Sequence, residues 1–313
     1  MRPLRILTWQ AHGSYLHALS QLPHELHLMT DRDVPENRWL RGSNMHPVPV
    51  AEAHAGQFDC ILFHQREQYL DQQYRYLTAA QRRLPRIYVE HAAPGDIPGG
   101  TRHPVDDTDV LLVHVTAGNA LMWDNGRQRI RVIDYGVMVS PDVGYSGERQ
   151  CGAVLSNALQ SLADSDIYQR LRQRIPLEVV PARCPATLEH DHCAPLRLPA
   201  TAARCRFLFH PVRSHTLDPG IIAGMMNGMP VIGLASGEMT GLIQNGVSGY
   251  VDTDLDKLAA HMQELLDNPP YAFALGCGAR RRARERFGMP RFVADWNATL
   301  QLVTHMRTRR STD

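Results

Sequence analysis

The sequence predicts an α/β protein with two Rossmann-like, doubly wound domains. The chain has 313 residues, of which 43% are hydrophobic. This length suits two cores, because a single core stops growing near about 250–300 residues. Short apolar runs of strand length alternate with helical segments, as parallel sheets require. The first strand is followed by a glycine turn and a helix, which is how a Rossmann-like domain begins.

The first domain is expected over residues 1–140. Its first strand covers 4–9, and a turn containing His12, Gly13 and Ser14 follows it. Loops at strand ends often carry binding residues, although a solvated histidine is an equally good interpretation of His12. One glycine is too few for a dinucleotide fingerprint, and a phosphate loop is missing. Further strands are predicted at 25–29, 59–64, 86–90, 109–115 and 130–133, with a polar helix over 68–83.

The second domain is expected over residues 150–290. A glycine- and proline-bearing stretch after residue 133 is typical of a linker, so the domain boundary is predicted near 138–150. The second domain opens with a strand over 151–157, a helix over 164–174 and a strand over 177–181. A last helix, 291–313, follows the domain.

Residues 207–251 are predicted to form a strand, helix, strand, helix and strand. The first strand ends at His210. Asp218 before Pro219 begins a helix, because aspartate accepts amide bonds of the first turn and proline suits the first helical position. Gly228 ends that helix. The next strand covers 229–234, and Gly237 opens the loop after it.

This segment resembles the donor-binding half of GT-B glycosyltransferases, particularly glycosyltransferase family 4. The matching residues are Gly228-Met229-Pro230-Val231-Ile232, Gly237-Glu238 and Asn245-Gly246-Val247-Ser248-Gly249. The resemblance implies a GT-B fold, in which the two domains face a central cleft and the last helix crosses back to the first domain. It also implies transfer of a sugar from a nucleotide-activated donor to an unknown acceptor, with retention. The donor is a substrate, and no cofactor is expected.

The first domain offers two candidate catalytic residues, His91 and Glu90, at the carboxyl end of a predicted strand. Open α/β sheets bind ligands at that edge. The resemblance implies a histidine here beside the transferred sugar, and histidine can donate or accept a proton near neutral pH. Glu90 can orient His91 or act as a base, or it can be an exposed carboxylate at a strand end.

The second domain offers the candidate donor site. A helix N-terminus near 216–221 favours a leaving diphosphate without a metal, because its amides and dipole attract an anion. Arg213 can grip phosphate oxygens or form a surface ion pair. No metal is therefore expected in the reaction. The candidate substrate-binding residues of this domain are Arg213, Ser214, His215, Thr216, Asp218, Gly237, Glu238 and Met239.

Two departures from family 4 weaken the donor site. The family places glutamates where this chain has His215 and Ala223, and it places basic residues where 155–161 has none. If Asp218 caps its helix, it competes with a phosphate for the same amides. Two other functions therefore stay open. One is a catalytically inactive scaffold or activator of a partner glycosyltransferase, and the other is a GT-B enzyme with a different activated donor.

The six scattered cysteines predict reduced thiols rather than a secreted disulfide framework. One group has enough ligand types for zinc, but its spacing lacks a Cys-x-x-Cys pair and its prolines indicate a loop. Loop residues and buried thiols are therefore the preferred interpretation. The group is Cys184, His190, Asp191, His192, Cys193 and Cys205.

The net charge of +1 gives no broad reason to expect nucleic acid or an acidic membrane as partner. Five arginines over 280–286 alternate with core-type residues at helical spacing, which favours a solvated helix face over a nucleic-acid site. Neither a signal peptide nor a membrane span is predicted, so a cytoplasmic location is expected. The sequence leaves open a homo-oligomer or a protein partner.

Overall fold

The computed structural model describes residues 2–9, 13–30, 44–95, 100–140, 142–159, 162–181, 196, 198–213 and 217–310. The chain divides into two compact units. The first contains Met1–Gly136 and Met289–Asp313, and the second contains Val137–Leu188 and Pro195–Gly288. The boundary between the two units follows Gly136, whereas the sequence predicted a boundary near 138–150.

The first unit is a seven-stranded, parallel α/β sheet with the strand order β3-β2-β1-β4-β5-β6-β7. The order reverses between β1 and β4, so the carboxyl ends of these strands border a topological switch point. Its strands are β1 (Arg5–Trp9), β2 (Glu25–Thr30), β3 (Met45–Pro49), β4 (Cys60–Phe63), β5 (Arg86–Glu90), β6 (Val110–His114) and β7 (Ile130–Val132). Its helices are α1 (Gly13–Leu19), α2 (Val50–Ala53), α3 (Gln73–Tyr76), α4 (Ala117–Met122) and α11 (Met289–Arg310).

Alternating side chains of these strands form a core on each face of the first sheet. One core includes Ile6 and Val89 together with Phe292 and Trp296 of α11. The final helix therefore belongs to the core of the first unit. The opposite core includes Leu7, Trp9, Phe63 and Tyr88.

Two features of the first unit differ from the prediction. β3 contains Pro47 and Pro49, which hide a strand in the sequence but are tolerated at this sheet edge. The polar helix predicted over 68–83 is broken into a π-helix (Gln68–Gln72), α3 and a 3₁₀ turn (Gln81–Arg83). Thr78 and Gln81 explain the break after α3, because each side chain accepts the other's backbone N–H as in a capping box.

The second unit is a five-stranded parallel sheet with the order β12-β11-β10-β8-β9. Its switch point lies between β8 and β10. Its strands are β8 (Arg149–Leu155), β9 (Leu177–Val180), β10 (Cys205–His210), β11 (Val231–Leu234) and β12 (Gly249–Asp252). Its helices are α5 (Leu162–Arg172), α6 (Ala200–Arg204), α7 (Pro219–Asn227), α8 (Met239–Leu242), α9 (Leu255–Asp267) and α10 (Pro269–Phe287).

The ends predicted for α7 are confirmed. The Asp218 side chain accepts the backbone N–H of Gly220 at 2.7 Å, and Gly228 ends the helix at a φ of 91°. A side chain at Gly228 would be strained in that left-handed conformation. The helix between these caps is almost wholly buried.

The arginines of α10 are not simply a solvated face. Arg280 donates to the carbonyl of Asn227, and Arg282 donates to the carbonyls of Gly241 and Leu242. Arg286 pairs with Glu238. Three of the five arginines therefore satisfy carbonyls or a carboxylate within the second unit. No helix in the described ranges is long and apolar enough to cross a bilayer.

Candidate active site

Two histidines meet at the carboxyl edge of the first sheet. His64 follows β4 and His91 follows β5, so both lie where ligands bind in open α/β sheets. Nδ1 of His64 lies 3.0 Å from Nε2 of His91, and the rings stack with centroids 5.3 Å apart. His91 was predicted from the sequence, whereas His64 was not. The missed signal was its position directly after a buried strand that borders the switch point.

Tyr15 of α1 holds the histidine pair on one side. Its ring meets His91 edge-on with centroids 4.7 Å apart, and it meets His64 at 5.9 Å. The side chain is 2% exposed, and burial raises the pKa of Tyr15 well above its ordinary value of 10. The phenol is therefore neutral, and it gives the pair an apolar wall. Ser14 and Gly13 lie in the first turn of the same helix.

The Glu90 carboxylate is directed at a third histidine. Its Oε2 atom lies 3.1 Å from Nε2 of His103, and its Oε1 atom accepts the backbone N–H of Ala92 at 2.9 Å. Nδ1 of His103 accepts the N–H of Val105, so the ring proton is on Nε2 and is donated to Glu90. Of the roles considered for Glu90, this geometry favours positioning over proton abstraction, because both oxygens already accept hydrogen bonds.

Two further side chains fix the backbone around His91. Asn119 of α4 donates to the carbonyl of Glu90 at 2.9 Å. The indole N–H of Trp123 donates to the carbonyl of Ala92 at 2.9 Å. The residues before and after His91 are thus held by α4 and by the residue that follows it, which gives the imidazole a defined position. A site supported in this way loses little entropy when a substrate binds.

At the switch point of the second unit, a hydrogen bond joins Asn157 to Asp218. Asn157 follows β8, and its amide donates to Oδ2 of Asp218 at 2.8 Å. The other carboxylate oxygen caps α7 through Gly220. Asp218 therefore occupies an amide that a phosphate would otherwise use, as the sequence analysis expected.

Arg213 lies in the loop after β10 and is exposed. It lines an open cavity of about 720 Å³, together with Arg170 of α5 and with Arg174, which follows that helix. The other charged groups of the lining are Asp254 and Asp256, and Arg174 pairs with Asp256. The cavity is polar and of mixed charge, so it suits a hydrogen-bonding ligand better than an apolar one.

In the glycine loop after β11, the side chains of two of the three candidate residues are buried. Glu238 is 8% exposed and pairs with Arg286 at 3.3 Å, while Met239 is 4% exposed. These two side chains serve packing and an internal ion pair. Gly237 has a φ of 46°, the left-handed conformation that favours glycine. Its backbone remains a candidate for contact with a ligand.

Several predicted residues lie outside the described ranges. They are His12, Ser214, His215 and Thr216 of the candidate site, and Cys184, His190, Asp191, His192 and Cys193 of the considered zinc group. Cys205 of that group is described. Its Sγ atom lies 3.3 Å from Sγ of Cys151, a contact between neighbouring strands that the sequence analysis missed.

No protein-family model matches the chain, and no curated protein matches it in sequence. Solved structures do match. Sucrose-phosphate synthase from Thermosynechococcus elongatus has a TM-score of 0.68 and 12% identity, over 97% of this chain and all of the other.

Two further neighbours share the same fold. HepE of Anabaena, in complex with UDP and glucose, has a TM-score of 0.60 and 15% identity over 95% of this chain and 99% of its own. AviGT4, a glycosyltransferase involved in avilamycin A biosynthesis, has a TM-score of 0.58 and 12% identity over 97% of this chain and 98% of its own. The chain therefore shares with these structures a parallel-sheet α/β fold with two sheets.

Proposed function

We propose that the protein is a glycosyltransferase that moves a sugar from a nucleotide-activated donor to an acceptor not yet identified. The observation that carries this proposal is the His64–His91 pair at the carboxyl edge of the first sheet, in a fold shared with a protein crystallised with UDP-glucose. A fold alone does not define an activity, so the proposal of catalysis rests on the histidine pair.

We assign His91 to the sugar end of the reaction. An imidazole held in one orientation can donate to a sugar hydroxyl or assist an acceptor hydroxyl. The bond to His64 couples the proton positions of the two rings, because a bond between two neutral imidazoles needs one donor and one acceptor. Glu90 is assigned a positioning role, because its carboxylate accepts the backbone N–H of Ala92 in the loop that carries His91.

The second unit is assigned to the donor nucleotide. Arg213 supplies positive charge for the leaving diphosphate in place of a metal. The N-terminus of α7 contributes less, because the amide of Gly220 is already bonded to the carboxylate of Asp218. Retention of configuration follows from the resemblance to family 4. Because the protein itself offers positive charge to the leaving diphosphate, an added divalent cation should change turnover by less than about twofold.

A GT-B protein without catalysis is the second candidate function. Two observations favour it: a buried Ala223 replaces a family glutamate, and the first-turn amide of Gly220 is already bonded to Asp218. Such a protein would act as a scaffold or as an activator of a partner glycosyltransferase. A GT-B enzyme with a different activated donor is the third candidate, supported by the same replacements.

Release of nucleoside diphosphate tests the proposal. The protein is incubated with a panel of nucleotide-sugars without added divalent cation, with and without simple sugar acceptors, and diphosphate is measured by a coupled assay. Turnover of one donor above the level of a His91→Ala variant supports the transferase. Equal, background release from both proteins on every donor favours the scaffold.

A further inference from the structure

The second unit carries a cluster of two thiols and a carboxylate that the proposed function does not use. It consists of Cys151 on β8, Cys205 at the start of β10 and Glu178 on β9. One ligand atom from each residue lies within 4.8 Å of the others. Among the described residues, this is the one group of three or more histidine, cysteine or acidic side chains that lie close enough to share a metal ion.

The sheet places the three side chains on one face. Cys205 pairs in register with Arg149, and Glu178 pairs with Ala153. Residues 149, 151 and 153 of β8 point to the same side because side chains alternate along a strand. The cluster lies toward the amino edge of the sheet, whereas Asn157 and Asp218 lie beyond the carboxyl edge. It is therefore distinct from the candidate donor site.

We propose that Cys151, Cys205 and Glu178 bind a thiophilic divalent cation of the zinc class. Zinc sites in proteins use cysteine, histidine and carboxylate ligands in tetrahedral geometry. The three side chains supply three ligands, and a water molecule completes the four.

Two of the three ligand separations lie within about 0.5 Å of this geometry, and the third pair of ligand atoms lies within 4.8 Å. With Zn–S near 2.3 Å and Zn–O near 2.1 Å, a tetrahedral ion separates sulfur from oxygen by roughly 3.6 Å and two sulfurs by roughly 3.8 Å. Sγ of Cys151 lies 3.7 Å from Oε2 of Glu178 and 3.3 Å from Sγ of Cys205. The sulfurs need to separate by only about 0.5 Å, which small side-chain rotations provide.

The charges also balance. Two thiolates and a carboxylate carry three negative charges, and a divalent cation supplies two positive ones. Arg149 supplies the third, because its guanidinium lies 2.5 Å from Oε2 of Glu178. A neutral cluster is favourable beside the fully buried Cys205, where an uncompensated charge would be costly. Arg149 then orients the ligating carboxylate, as partners of metal ligands commonly do.

Cobalt(II) is the probe that tests this site, because thiolate–cobalt bonds give a near-ultraviolet charge-transfer band and tetrahedral cobalt absorbs strongly in the visible. Reduced, chelator-treated full-length protein is titrated with Co²⁺ alone, and Zn²⁺ is then added. We expect one equivalent to saturate both bands and Zn²⁺ to remove them. Cys151→Ser should abolish the bands, and Glu178→Gln should weaken binding at least tenfold.

Two controls keep the result specific. Cys277→Ser removes an exposed thiol of α10 outside the cluster, and it should leave the titration unchanged. Cys205→Ser is checked for folding by circular dichroism, and the half-buried Cys151 provides the decisive variant if that protein unfolds. Absence of a thiolate–cobalt band in the reduced protein overturns the proposal, as does an unchanged band in Cys151→Ser. A Cys151–Cys205 disulfide that forms with glutathione disulfide, together with no Co²⁺ binding after reduction, identifies a redox pair instead.

Discussion

The Nε2 atom of His91 lies 3.0 Å from the Nδ1 atom of His64, and their rings stack 28° from parallel. If His91 donates in this bond, its Nδ1 is left as a proton acceptor. If His64 donates, His91 is left as a proton donor. The bond therefore couples the acid or base character of His91 to its neighbour, and both residues should affect one pH profile.

His91→Ala should lower turnover by at least about 100-fold with the fold intact, because it removes the proton-transferring group. His64→Asn should lower turnover less and shift the pH dependence, because the neighbour that selects the tautomer has changed. Both are measured as kcat against pH, with the exposed His54→Ala as control. Near-normal turnover of a folded His91→Ala protein would remove this histidine from the mechanism.

Glu90→Ala should destabilise the first unit by about 1–3 kcal/mol, because the buried N–H of His103 then loses its acceptor. Glu90→Gln should cost less, since an amide oxygen still accepts from His103. Urea unfolding of both variants measures the difference. Equal stability of wild type and Glu90→Ala would show that the hydrogen bond to His103 contributes nothing.

Stability should fall as the pH is lowered through 6.5. Burial lowers the pKa of His114, which is 0% exposed, below its ordinary value of 6.5. Between the two pKa values the unfolded chain binds a proton that the folded chain does not, so the free energy of unfolding decreases toward acid pH. Thermal unfolding from pH 7.5 to 5 should show the loss, and His114→Gln should reduce its slope. An unchanged slope would assign the loss to other histidines.

Ala223→Glu tests whether the missing family carboxylate can be restored. The Ala223 side chain is 2% exposed within α7. A glutamate there would bury a charge, which costs several kcal/mol when no partner is present. We expect a clear loss of thermal stability without tighter nucleotide binding, and Ala223→Gln should be less destabilised. A stable Ala223→Glu protein that binds a nucleoside diphosphate tenfold more tightly would instead show that this position faces the donor.

Periodicity and capping chemistry predicted much of the fold. Apolar runs identified β1, β2, β4–β6 and β8–β11 within about two residues, because buried parallel strands are continuously hydrophobic. Asp218 and Gly228 fixed both ends of α7 for local reasons. β3 was missed because its two prolines are acceptable at an edge position, and edge position is a tertiary property.

Less of the candidate site was predictable. The carboxyl end of β5 identified His91, but its pairing with His64 depends on the neighbouring positions of β4 and β5. The partner of Glu90, His103, is 13 residues away and comes from another segment. Cys151 and Cys205 meet across strands 54 residues apart in sequence, which spacing rules for metal ligands do not cover.

Thermal unfolding against a panel of nucleoside diphosphates tests the central claim most directly. The diphosphates of uridine, guanosine, adenosine and thymidine and their common sugar conjugates are each added at up to millimolar concentration. One base should raise Tm in a concentration-dependent way. At about 100 times its dissociation constant, a ligand adds roughly 2.7 kcal/mol, which raises Tm by about 4 °C for a chain of 313 residues. The absence of any shift across the panel, with folded protein, would contradict the glycosyltransferase account.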